Sequence, residues 1–164
     1  MSAYTILGID PGYGRMGFGL ILADGRAYEA IDYGVMKTTA GEDTPSRLLA
    51  LAHDLESVVS AHPPHLLAIE KLFFSTNQKT ALQVAEARGV VLLTAAQYGI
   101  PVVEFTPMQV KTSLTGDGKA GKPAMQRMVK QLLNLPTIPK PDDAADALAL
   151  AITASSTVRR LVAS

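Results

Sequence analysis

Four carboxylates stand at positions where a soluble fold gains little from a charge. Asp10 ends the apolar run Tyr4–Ile9 and opens the turn Pro11-Gly12-Tyr13-Gly14. Glu70 ends a second apolar run, Leu66–Ile69. Asp143 and Asp146 lie three residues apart at the start of DDAADALALAITA, which has few other polar residues. Asp-Pro-Gly is ordinary turn chemistry, and acids suit a helix N-terminus, so Asp10, Asp142 and Asp143 each have a plain structural explanation. Asp146 has a weaker one. It sits a turn further in, on the side of Leu150, where a charge is costly unless something positive pairs with it. If the two strand ends and the helix converge, the four acids repel one another and call for a cation. Oxygen donors suit hard divalent ions such as Mg²⁺ or Mn²⁺. Two such ions can activate a water and stabilise a leaving oxygen in phosphodiester hydrolysis.

The elements that must position these acids can be read from the pattern. Tyr4–Ile9, Met16–Leu22 and Ala27–Lys37 read as three strands. The pair Asp24-Gly25 is a hairpin signal, so these strands form an antiparallel meander. Thr44-Pro45 opens a helix with Thr44 as its cap, and His62-Pro63-Pro64 stops it. Leu66–Glu70 lacks alternation and suits a strand buried on both faces. A long helix from about Thr80 to Tyr98 leads to a strand at Val102–Phe105, which indicates a parallel strand–helix–strand pair. Its small residues Ala81, Ala85 and Gly89, with Leu92 and Leu93, fit either internal packing or a seam between two copies. A helix from Thr106-Pro107 ends near Gly116. A basic, Gly-rich loop follows, then a helix from Pro123, a Pro-rich linker over Leu135–Pro141, and a buried helix Asp142–Ala154. The expected fold is α/β, with a central five-stranded mixed sheet of three antiparallel and two parallel strands flanked by helices. Residues 1–155 form one domain and 156–164 a C-terminal tail. The tail's Arg159 and Arg160 could meet DNA or solvent.

Composition narrows the possibilities. The chain has 164 residues, 48% of them hydrophobic and 18% charged, and no cysteine. A disulfide framework and a Cys-based zinc site are therefore excluded. No signal peptide and no membrane-length apolar run is visible, so a cytoplasmic protein is expected. His53, His62 and His65 have no spacing that joins them, and read as surface residues. Net charge is zero, but residues 1–70 carry −5, 71–140 carry +6 and 141–164 carry −1. A basic middle fits a face that meets an anion, or simply solvated helix faces.

The runs GIDPG and AIEKLF, the segment ALQVAEARGV and the terminal DDAADALALA, in this order, resemble the RuvC Holliday junction resolvases. These are bacterial endonucleases with an RNase H-like fold. The resemblance implies that Asp10, Glu70, Asp143 and Asp146 are the catalytic acids and hold two Mg²⁺ or Mn²⁺ ions in each active site. It places Lys111 and Lys122 near that site, on DNA phosphates or on transition-state charge. Phe73 matches an aromatic used against junction bases; the competing reading is a core Phe. Lys79, Arg88 and Lys119 would contact the DNA backbone. A homodimer, a four-way junction cut by paired symmetric nicks, and the RuvA–RuvB branch-migration complex are the implied assembly, substrate and partner. The segment Tyr13-Gly14-Arg15 departs from the pattern, in a turn where the family varies. Three rivals stand beside this reading. A phosphotransfer enzyme of the sugar-kinase or actin type starts with a similar strand, but needs a second lobe. A junction-binding module without catalysis would not need four acids. A related nuclease with another nucleic-acid substrate is separated only by a substrate panel.

Overall fold

The computed structural model describes residues 2–73 and 78–162. Three strands, β1 (Tyr4–Asp10), β2 (Arg15–Ala23) and β3 (Tyr28–Lys37), make the meander. Helix α1 (Thr44–Ala61) leads to β4 (Leu66–Glu70), α2 (Gln78–Gln97) and β5 (Val102–Phe105). Helices α3 (Pro107–Thr115), α4 (Lys122–Leu132) and α5 (Asp142–Val162) complete the chain. The sheet order is β3-β2-β1-β4-β5. β1 pairs antiparallel with β2 and parallel with β4, and β4 pairs parallel with β5. The expected mixed sheet of three antiparallel and two parallel strands is thus present, with β1 and β4 in its interior.

Alternation along β1 and β4 divides the core in two. Leu7, Ile9, Leu67 and Ile69 face α1 and α2, against Leu51, Leu55, Ala87 and Val91. Ile6, Leu66 and Ala68 face the other way, into a core with α3, α4 and α5. Each fully buried Leu or Ile side chain contributes about 1.5–3 kcal/mol.

On the second face α5 lies directly on the sheet. A Cβ at Gly8 would stand 1.9 Å from the carbonyl oxygen of Ala147, and one at Gly17 2.1 Å from that of Asp143. A Cβ at Gly19, paired across the sheet with Gly8, would meet Leu148 at 2.7 Å. Only glycine permits this approach. The Ala-rich helix is its other half: Ala144, Ala147 and Ala151 are fully buried.

Several boundaries differ from expectation. α5 continues past Ala154 to Val162, so residues 156–162 are helical. Asp43 stands at the N-cap position of α1 without a side-chain cap bond, and Thr44 is already inside the helix, its hydroxyl hydrogen-bonded to Tyr13 Oη at 2.9 Å. Lys122, not Pro123, is the first residue of α4. The α2 stripe is split. Ala81 is buried, whereas Leu93 is exposed, as is Leu82 beside the stripe, and nothing lies within 4 Å of a Cβ at Gly89. The face turned to the core is Ala87, Val91 and Ala95. His65 is a structural residue, whose Nδ1 accepts a hydrogen bond from the Thr5 N–H at 3.1 Å.

Candidate active site

The alternation that places Ile6 and Gly8 towards α5 carries on to Asp10, and the same phase in β4 carries Glu70. The register runs Gly8 to Ala68 and Ile9 to Ile69, so the next step sets Asp10 beside Glu70. On β2, Gly17 lies opposite Asp10 and beneath Asp143. One corner of the sheet therefore receives all four acids.

Their electrostatics agree with that placement. Burial pushes the Asp10 carboxyl up to about 7; Asp146, Glu70 and Asp143 add to the rise, and Lys122 opposes it. Burial also raises Glu70, with a further push from Asp146 and an opposing pull from Lys111. Asp146 is raised by burial, against the charge and hydrogen bond of Lys122. Burial works against the Lys122 ammonium, but Asp146 first and then Asp142 outweigh it and hold its pKa above the ordinary range.

Lys122 Nζ lies 3.2 Å from Asp142 Oδ2 and 3.6 Å from Asp146 Oδ2. Gln126 Nε2 donates to Asp142 Oδ1 at 3.1 Å. Asp142 thus holds the start of α4 against the start of α5. A cavity of about 310 Å³ opens beside the acids, with Glu70, Lys111, Lys122 and Asp146 around it and Val110 and Leu150 among its apolar walls. Lys111 is placed there by α3, whose start is fixed by a capping box between Thr106 and Gln109.

The remaining basic positions separate. The Arg88 guanidinium is ion-paired with Glu104 on β5 and is mostly buried. Lys119 lies on the loop before α4, where its backbone N–H donates to Asp117 Oδ1 at 2.8 Å. The side chains of Lys79, Arg159 and Arg160 lie outside the described residues. Phe73 is 61% exposed just beyond β4, which rules out the core reading. Sequence reasoning missed one residue here. Arg15, the first residue of β2, places a guanidinium nitrogen 3.1 Å from Asp143 Oδ2. The signal was present in the turn that departs from the common pattern.

The donor set fits hard divalent cations. It is all oxygen, and Asp10, at the point of greatest repulsion, has no ion-pair partner among the described residues. Among those residues the acids of this corner are not drawn together into a ready-made ion cage. Asp143 and Asp146 are turned to Arg15 and Lys122 instead.

A mixed sheet of this order, with acids at two adjacent strand ends and on a helix laid across them, defines an RNase H-like nuclease. The family model for crossover junction endodeoxyribonuclease RuvC matches residues 6–154. The chain belongs to that family and is an endodeoxyribonuclease, a hydrolase. It is 51% identical over 156 residues to the RuvC of Desulfitobacterium hafniense, covering 95% of this chain and 94% of the relative. With the RuvC of Gloeobacter violaceus the identity is 52% over 154 residues, covering 93% and 88%. The solved structure of T. thermophilus RuvC in complex with Holliday junction substrate aligns with a TM-score of 0.91 at 34% identity, over 96% of each chain. The yeast mitochondrial Holliday junction resolvase Ydc2 shares the fold, with a TM-score of 0.63 at 15% identity, over 94% of this chain and 82% of that one. No helix among the described residues is long and apolar enough to cross a membrane.

Proposed function

We propose that this protein resolves four-way DNA junctions by paired symmetric nicks in homologous recombination and repair. Asp10, Glu70, Asp143 and Asp146 would hold two Mg²⁺ or Mn²⁺ ions. When bound, the ions would supply an activated water and stabilise the leaving oxygen. The observation that carries this reading is the corner where Asp10 and Glu70 end adjacent strands beneath the start of α5. The chain's own residues do the rest. The sheet and α5 fix the carboxylates. Lys111 and Lys122, which both line the cavity, draw a DNA phosphate towards them. Phe73, exposed beyond Glu70, offers a ring for an unpaired base to stack on. Lys119 and Lys79 are proposed as backbone contacts. Arg88, ion-paired with Glu104, is proposed as a further backbone contact.

The chain, with α5 running on past residue 155 to Val162, acts as one nuclease domain in a homodimer. The exposed Leu82 and Leu93 with the open Gly89 on α2 suit a helix–helix seam. Two sites about a two-fold axis match a substrate of the same symmetry. Cytoplasmic action with a RuvA–RuvB branch-migration complex completes the reading.

The test is incubation with a labelled four-way junction, a duplex and an RNA–DNA hybrid, with the metal ion added last. Paired nicks in the junction, only after metal and absent in Asp10→Asn, are expected. Cutting in EDTA, or equal cutting of duplex, would defeat the reading.

A further inference from the structure

Arg15 reaches Asp143 from a turn that is locked in place. A Cβ at Gly12 would stand 1.9 Å from the carbonyl oxygen of Arg15, so the chain folds back on itself there. Tyr13 is buried between the strands and α1. Its ring lies 3.9 Å beneath the Arg47 guanidinium, and its hydroxyl meets Thr44. Arg47 Nε donates to Thr38 Oγ1 at 2.9 Å, and that hydroxyl donates to the Tyr13 carbonyl oxygen at 2.9 Å. The Thr38 N–H donates to the Gly14 carbonyl oxygen at 3.1 Å. Helix α1 and Thr38, just past the end of β3, thus hold the two residues before Arg15.

The acceptor is held as firmly. Arg15 and Gly17 lie on the same face of β2, and Gly17 touches the backbone of Asp143. The guanidinium and the carboxylate are therefore set against each other by backbone packing, not by a chance meeting of two flexible side chains. A helix-start acid needs no such partner, because the helix end already favours it. Arg15 instead faces a corner where the Asp143 charge acts on both Asp10 and Asp146.

We propose that Arg15 is a positioning residue for Asp143: it holds this carboxylate in place at the acid corner and competes with divalent cations for its oxygen. The proposal rests on the reading of the four acids as an ion site. Arg15 is 51% exposed and Asp143 33%, so the competition is modest. Its removal should tighten ion binding about two- to fivefold.

The experiment titrates the DNA-free protein with Mn²⁺ and follows free Mn²⁺ by electron paramagnetic resonance at low salt. Arg15→Gln should bind Mn²⁺ about two- to fivefold more tightly than wild type, and Arg15→Lys should stay near wild type. The gain should shrink at high salt, and should vanish when Asp143→Asn is also present. An Arg15→Gln protein that binds Mn²⁺ as wild type does, or more weakly, overturns the proposal. So does the same gain in Arg15→Lys, or a gain that survives Asp143→Asn. Absence of Mn²⁺ binding in the wild type overturns the ion site itself, which is a different failure.

Discussion

Replacing Asp10 with Asn in the ion-free protein should raise its stability above neutral pH, although the residue is proposed to be essential for cleavage. The Asp10 carboxyl rises from 3.8 to about 7 on folding, by burial and by its three acidic neighbours. Folding therefore favours the protonated form. The associated stability is fully present below about pH 4 and is lost as the pH climbs through 7. A rise of about three pH units at about 1.4 kcal/mol each makes the ionised carboxylate cost the fold about 4 kcal/mol. Asp10 keeps some contact with solvent, so the observable difference is about 2–4 kcal/mol. For a chain of this size that is roughly 5–10 °C in Tm. The assay is thermal unfolding in EDTA, at intervals from pH 4 to 8.5, for wild type and Asp10→Asn. The curves should meet near pH 4 and diverge towards 8, with the variant the more stable. Adding Mg²⁺ at pH 8 should raise the wild type more than the variant. Equal melting at pH 8 in EDTA would show that the four acids do not crowd one another.

Phe73→Ala should change stability by less than ~0.5 kcal/mol, as expected for an exposed side chain, while junction cleavage falls; a large drop in Tm would contradict the exposed ring. Lys122→Ala should weaken junction binding and lower the slope of log K against log salt by about 1, measured by fluorescence anisotropy between 50 and 200 mM salt as an order-of-magnitude range. Gly8→Ala should destabilise the protein by about 3 kcal/mol or more, read by urea unfolding, because its Cβ would strike the backbone of α5.

The local pattern of the chain carried much of this architecture. Strand ends, the meander and the parallel pair follow from apolar periodicity and turn chemistry, and they put Asp10 and Glu70 at like ends of interior strands. Which strands adjoin is a long-range matter. The pairing of β1 with β4 joins residues sixty apart, and only that register sets Asp10 beside Glu70. Arg88 shows the same limit. An arginine on a helix reads as unpaired until β5 brings Glu104 against it. The end of α5 was hidden for another reason. Ser155, Ser156 and Thr157 are weak helix formers, yet Ser155 is buried and hydrogen-bonded within the fold, and packing carries the helix through them. Arg15 could be found only by taking the unusual turn as a built feature, because its partner lies 128 positions away.

The glycines beneath α5 have a consequence for adjustment. With Gly8, Gly17 and Gly19 each touching the helix, α5 cannot slide along the sheet by a fraction of a turn without striking a carbonyl or a side chain. The next register that repeats the same face is a whole turn away, about 5.4 Å, far too coarse for tuning an ion site. The position of Asp143 and Asp146 above Asp10 is thus discrete. Fine adjustment belongs to side-chain torsions alone, and an Asp-to-Glu exchange in this corner adds a methylene that the backbone has no means of taking up.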